Sequence, residues 1–233
     1  QMDGFIQVSP DNRYLLTSAA EANIGYAFLF VEDIDKPRAK LLYTKGREYA
    51  MRILKKNRSF SKALAEDDLD NFRASLKSIS KNDVAALYFA TQGWMSWMNL
   101  AKADTPDIMK DLPKIEAMMD RILELDETFY HGGVHALMGA YNASRPEMIG
   151  GNMDEARAHF KEAVEISEGR YLLWHYLYAR YYAVQTRNRD LFTDTLNKVL
   201  SAPDDILPEE SFANSAAKMK ARELLSHADD YFK

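Results

Sequence analysis

The chain has 233 residues, no cysteine and a formal charge of -5 from 30 basic and 35 acidic side chains. The lack of cysteine excludes disulfides, thiol nucleophiles and thiolate metal sites, and so mild and mixed a charge argues against nucleic acid as a partner. No apolar run reaches the length needed to cross a bilayer, and the size suits one large domain or two small ones. The opening residues QMDGFIQVSPDNR carry neither a charged nor an apolar leader segment. That is compatible with a cytoplasmic protein and equally with one whose targeting segment has been removed.

Apolar residues recur with a period near 3.6 and scarcely ever alternate, which predicts an all-α fold. Helices are predicted over about 9–30, 38–56 and 61–78. A fourth follows Ser80 and Asn82, whose side-chain oxygens suit a helix N-terminus, and carries Leu87, Ala90, Trp94, Trp97, Met98 and Ala101 as one stripe. Thr105, Pro106 and Asp107 begin a fifth, with Ile108, Leu112, Ile115, Met119 and Ile122 on one face. A sixth spans about 133–143. After a break at 145–152 comes a seventh, holding Ala156, His159, Phe160, Ala163 and Val164 and ended by Gly169. The eighth (171–184), the ninth (190–200) and, beyond Pro203, a long terminal helix (208–231) complete the series.

Similar helices joined by short turns pack as antiparallel neighbours. Ala156, Phe160 and Ala163 have the four-then-three spacing of the second helix in a tetratricopeptide repeat, and Gly139 and Ala140 supply small residues on the helix before it. Trp174, Tyr178 and Tyr182, with Phe192, Leu196 and Val199, extend the pattern to a further pair. The expectation is one tetratricopeptide-like domain over 1–233: a right-handed stack of about four helix pairs with a C-terminal capping helix. Gly25 and Gly93, both inside helices, are expected where helices approach closely.

Residues 146–184, PEMIGGNMDEARAHFKEAVEISEGRYLLWHYLYARYYAV, resemble the TatT family, the T components associated with tripartite ATP-independent periplasmic (TRAP) transporters. Pro146, Gly150, Gly151, Ala156, Phe160, Ala163, Ser167, Gly169, Ala179 and Tyr182 match the pattern of that segment. Asn214, Ala217, Ala221, Leu224 and Leu225 match its C-terminal helix, and the likeness covers roughly residues 40–230. The resemblance implies a periplasmic, lipid-anchored protein that works beside a periplasmic substrate-binding protein. It also implies a homotrimer in which each subunit is perforated by a largely apolar pore. The family's lipid-bearing cysteine is not among these residues, so the resemblance assigns the anchor, and with it any contact with membrane, to a longer precursor.

Chemistry is sparse. His131 and His135 are four apart, a spacing able to hold zinc on one helical face, but the accompanying glutamate is missing and Gly132-Gly133 favours a helix-start turn. No metal is expected. Gly150, Gly151 and Asn152 precede a helix whose N-terminus attracts anions, yet no phosphate-loop pattern is present, and Asn152 or Asp154 is expected to cap that helix. Asp67, Asp68 and Asp70, and Glu209 with Glu210, read as solvated faces or first turns rather than a working carboxylate pair. With no nucleophile elbow or triad, neither catalysis nor a cofactor is expected.

The eighth helix, YLLWHYLYARYYAV, is aromatic almost all round. Two readings stand. It is a central helix buried on every side, with Arg180 paired to a core carboxylate; or its tyrosine hydroxyls mark a surface half apolar and half wet, with Arg180 facing an anionic ligand head. On the second reading Trp94, Trp97, Tyr141, Tyr178, Arg180 and Tyr181 line an elongated cleft. Met148 and Ile149, carried on the turn from Pro146 to Gly150 and Gly151, are expected at an interface. The functional reading is a non-enzymatic periplasmic TRAP component that docks a substrate-binding protein and holds a hydrophobic or organic-acid ligand. The alternative is a tetratricopeptide scaffold gripping a peptide segment of a protein partner.

Overall fold

Asn12 ends the first turn of the chain and starts its first long helix, its side-chain oxygen accepting from the Leu15 N–H at 3.1 Å. The structure is a computed structural model that describes residues 2–66, 68–101 and 110–232. Among these the chain is all-α, without a strand. It divides into two units, one within residues 1–126 and one within 127–233.

In the first unit, α1 (Met2–Val8) precedes α2 (Arg13–Tyr26), which runs on into a π-helical turn (Ala27–Val31). Then come α3 (Lys36–Leu54), α4 (Arg58–Glu66), α5 (Leu69–Leu76), α6 (Val84–Ala101) and α7 (Leu112–Asp126). Helix α3 packs on both α2 and α6, and α7 packs on α5 and α6. Leu16 and Ile24, Tyr43 and Leu54, Leu87 and Ala90, and Ile115 and Ile122 form the buried seam, with Phe60 and Phe72 in contact at 5.6 Å between ring centroids.

The close fit of α3 has a simple cause. A β-carbon at Gly46 would stand 2.6 Å from Ile24 Cγ1, and one at Gly93 would stand 3.2 Å from the Tyr43 carbonyl oxygen. Two glycines thus let α2 and α6 come in on α3 from either side. The expectation for Gly93 is met. Gly25 is different: nothing lies within 4 Å of the position its side chain would take, so close packing does not explain it.

The second unit has α8 (Phe129–Ala143), α9 (Met153–Ile166), α10 (Leu172–Leu177) continued by a π-helical turn (Tyr178–Ala183), α11 (Arg189–Ser201), α12 (Ser211–Ser226) and the short α13 (Ala228–Tyr231). Helices α8 and α9 form the tightest pair. Ala156, Phe160 and Ala163 are fully buried, and the Phe160 ring lies 2.8 Å from where a Gly139 β-carbon would be. The small residue of one helix therefore accepts the aromatic of the next, an arrangement compatible with the tetratricopeptide reading. Phe192, Leu196 and Val199 are fully buried on α11. Asn214 of α12 ties down the start of α10: its carboxamide oxygen accepts from Leu172 N–H at 2.8 Å and its nitrogen donates to the Arg170 carbonyl at 3.0 Å.

Three boundaries differ from expectation, each for a local reason. The helix expected to start at residue 9 starts at Arg13, because Asn12 caps it, and the short α1, Met2–Val8, stands before it. The third is two helices, because Asp68 accepts from Asn71 N–H at 2.8 Å and so begins α5 afresh. The terminal helix stops at Ser226 before a short turn of helix at 228–231. The predicted start of the fifth helix at Thr105, Pro106, Asp107 and Ile108 lies outside the described residues, as does Asp67. No helix among the described residues is long and apolar enough to cross a membrane.

Candidate functional site

The aromatic helix is buried in its first half and open in its second. Residues 171–177 are all buried, whereas Tyr178, Arg180, Tyr181 and Tyr182 are half-buried around the π-turn. Turns of this kind occur often at functional sites. Arg180 donates to the Tyr176 hydroxyl at 2.7 Å and its guanidinium lies 5.8 Å from the Tyr181 ring centroid. Buried Lys220 approaches the same Tyr176 ring at 5.9 Å. Tyr178 stacks on Tyr182 at 5.0 Å and meets Phe160 at 5.6 Å; burial, and then Tyr182, pushes the Tyr178 phenol pKa up. Tyr141 is buried, with the Arg145 guanidinium 3.3 Å over its ring.

Trp94 and Trp97 belong to the first unit, and there they meet a cation that the sequence reading passed over. The Arg47 guanidinium lies 5.4 Å from the Trp94 ring centroid and 5.8 Å from that of Trp97. Arg47, Met51 and Lys55 stand four apart along α3 and so share one face; that spacing was the available signal. Together with Glu48, Arg52, Leu64 and Trp94 they line a cleft of about 500 Å³. Burial pulls the Arg47 pKa below its ordinary value, against the pull of the Glu48 and Asp111 carboxylates.

The histidines do not gather. His131 and His135 turn to separate partners, because the residues before Gly133 are not helical. Tyr130, His131 and Gly132 hold φ values of 53°, 57° and 76°, a left-handed turn. Such a conformation costs L-residues about 1–2 kcal/mol each. Contacts on three sides hold it: His131 Nε2 lies 3.0 Å from Glu210, its ring stacks on Tyr171 at 4.8 Å, and its carbonyl accepts from Trp174 Nε1 at 2.7 Å. Glu210 does lie in the first turn of the short 3-10 helix Pro208–Glu210, as expected, but it is half-buried and partnered by His131 rather than solvated. His135 instead faces His159, with Nδ1 to Nδ1 at 3.0 Å and ring centroids 5.2 Å apart. The nitrogens thus point along the line between the rings, the geometry of an N–H···N hydrogen bond. Burial, and then the His159 charge, lowers the His135 pKa to about 4. No cluster of three metal-ligating side chains occurs among the described residues.

The break at 145–152 is a built loop. Gly150 N–H donates to the Glu147 carbonyl at 3.0 Å, and Gly151 N–H to that of Pro146 at 3.0 Å. Arg145 donates to the Gly150 carbonyl at 3.0 Å and to the Tyr141 carbonyl at 3.1 Å. A β-carbon at Gly151 would fall 1.8 Å from the Arg145 carbonyl oxygen. Asn152 then caps α9, accepting from Asp154 and Glu155 N–H at 3.0 and 3.1 Å. Met148 sits on this frame 96% exposed, with Ile149 at 48%.

Over 198 residues, the chain is 24% identical to an uncharacterized protein of Treponema pallidum (strain Nichols). That match takes in 84% of this chain and 60% of the relative, so the chain spans about 60% of the length of the curated relative it matches. The model of the TRAP transporter T-component family matches residues 1–232. With the match running almost from end to end over an all-α chain, the protein belongs to the TRAP transporter T-component family.

Proposed function

We propose that this protein is a non-enzymatic, periplasmic component of a TRAP-type transporter. It assembles as a homotrimer, docks a substrate-binding protein, and holds a hydrophobic or organic-acid ligand within its helices. The homotrimer, the binding-protein partner and lipid anchoring all come from the family resemblance. The observation that carries the docking part is the loop of residues 145–151. A large apolar side chain left 96% exposed on a hydrogen-bonded frame is uncomfortable in water and comfortable against another protein surface. Pro146, Gly150 and Gly151 shape the frame, and Met148 and Ile149 make the contact.

Deleting residues 147–149 tests this reading. Self-association by light scattering and capture of a TRAP substrate-binding protein encoded nearby should both weaken while circular dichroism stays helical. A monomer at high concentration defeats the trimer. Failure of the parent protein to capture the binding protein at micromolar concentration defeats the docking.

A further inference from the structure

A guanidinium carries five N–H donors in a fixed fork. That of Arg47 is half-buried, in cation–π contact with two indoles, and makes no hydrogen bond or ion pair with the described residues. The other charged groups lining its cleft are Arg52, Lys55 and Glu48, while Met51, Leu64 and Trp94 supply an apolar wall. Asp111, which also acts on Arg47, pairs with Lys114 at 3.6 Å, so the cations outnumber the carboxylates three to two with Arg47 included. Arg52 already donates to the Pro10 carbonyl, and Lys55 is exposed at the rim. Among the described residues, Arg47 is therefore the cation of this cleft with open donors beside apolar surface.

We propose that this cleft of the first unit binds an amphiphilic anion. Its carboxylate takes the Arg47 fork in bidentate fashion, and its apolar tail lies on Met51, Leu64 and Trp94. The planar two-point match is the one guanidinium makes with carboxylates, and the indoles hold the guanidinium by cation–π contact. Lys55 adds charge at the mouth, and Glu48 disfavours dianions by repelling a second carboxylate. The cleft volume lies in the range of small-molecule sites. The inference rests on the ligand-holding part of the proposed function alone; trimer and docking are not assumed. It also moves the anion head from Arg180, where the sequence pointed, to Arg47.

The test is isothermal titration calorimetry with decanoate below its micelle concentration, using decanol as the uncharged twin. The wild-type chain should bind decanoate at least tenfold more tightly than decanol. Arg47→Met should lose at least tenfold for decanoate and little for decanol, Arg47→Lys should fall between, and Arg180→Met should match wild type. Equal affinity for decanoate and decanol, no binding of decanoate at millimolar concentration, or a loss that follows Arg180 instead of Arg47 would each overturn the proposal. Should Arg47→Met fail to fold, Arg47→Lys is read against Arg180→Met: a loss of decanoate affinity in the first and not in the second supports the site, and the reverse overturns it. Loss of decanoate binding with capture of the substrate-binding protein intact would refute this site and leave the docking reading standing.

Discussion

Gly151 has no room for any side chain, since its neighbour's carbonyl oxygen occupies the position a β-carbon would take. Gly151→Ala must therefore open the loop and release the hydrogen bond to Pro146. Self-association measured by light scattering should fall, with helix content by circular dichroism unchanged. Phe160 is the opposite case, a side chain enclosed on all sides. Phe160→Ala should cost about 3–5 kcal/mol in chemical denaturation, as large-to-small changes in a core do; an unchanged midpoint would contradict the packing against Gly139. Much at this scale could be read beforehand. Asn152 as a cap and Ala156, Phe160 and Ala163 as core follow from spacing and side-chain chemistry. Arg47 did not, because a cation on a helix face looks solvated until the helix opposite presents two indoles to it.

At the scale of helices, the two glycines of α2 and α3 make a matched pair. Gly46→Ala forces a methyl against Ile24 and the Ala20 carbonyl oxygen at 3.0 Å, and overpacking of this kind costs about 1–3 kcal/mol. Gly25→Ala meets nothing and should instead stabilise by up to about 1 kcal/mol, since alanine is the better helix former. Paired thermal melts should move in opposite directions. The order and type of the helices were legible because 3.6-residue periodicity is strong wherever a face is buried. Their ends were less so. The split at Asp68 depends on a side chain turning back to its own backbone, and the left-handed turn at 130–132 is held by Tyr171, Trp174 and Glu210, far along the chain.

Across the whole molecule, all five histidines fall in the second unit, between His131 and His227. Burial lowers the pKa of His135 and of His175 to about 4, and that of His159 below its ordinary value. For a depressed histidine the neutral form is the one the fold favours. The associated stability is complete above about pH 6.5 and is lost as pH falls from there towards 4. Each of His135 and His175 contributes up to about 3 kcal/mol of that loss. Hydrogen exchange, corrected for the intrinsic pH dependence of the rates, should show protection fading in residues 127–232 before 2–126 as the solution is acidified. Simultaneous loss, or loss in the first unit first, would contradict the assignment. None of this was visible in composition, because it needs the burial of each imidazole.

The π-turns at Ala27–Val31 and Tyr178–Ala183 each hold one residue more than an α-helical turn would. One residue corresponds to about 100° of rotation about a helix axis. Removing a single amino acid from 178–183 would let the segment relax to regular helix while the residues after Ala183 keep the faces they present, because a π-turn wraps its extra residue within the turn. The apolar stripe thus changes phase partway along each of these two helices. A repeat compared residue by residue drifts out of step at those two points unless a one-residue gap is opened there.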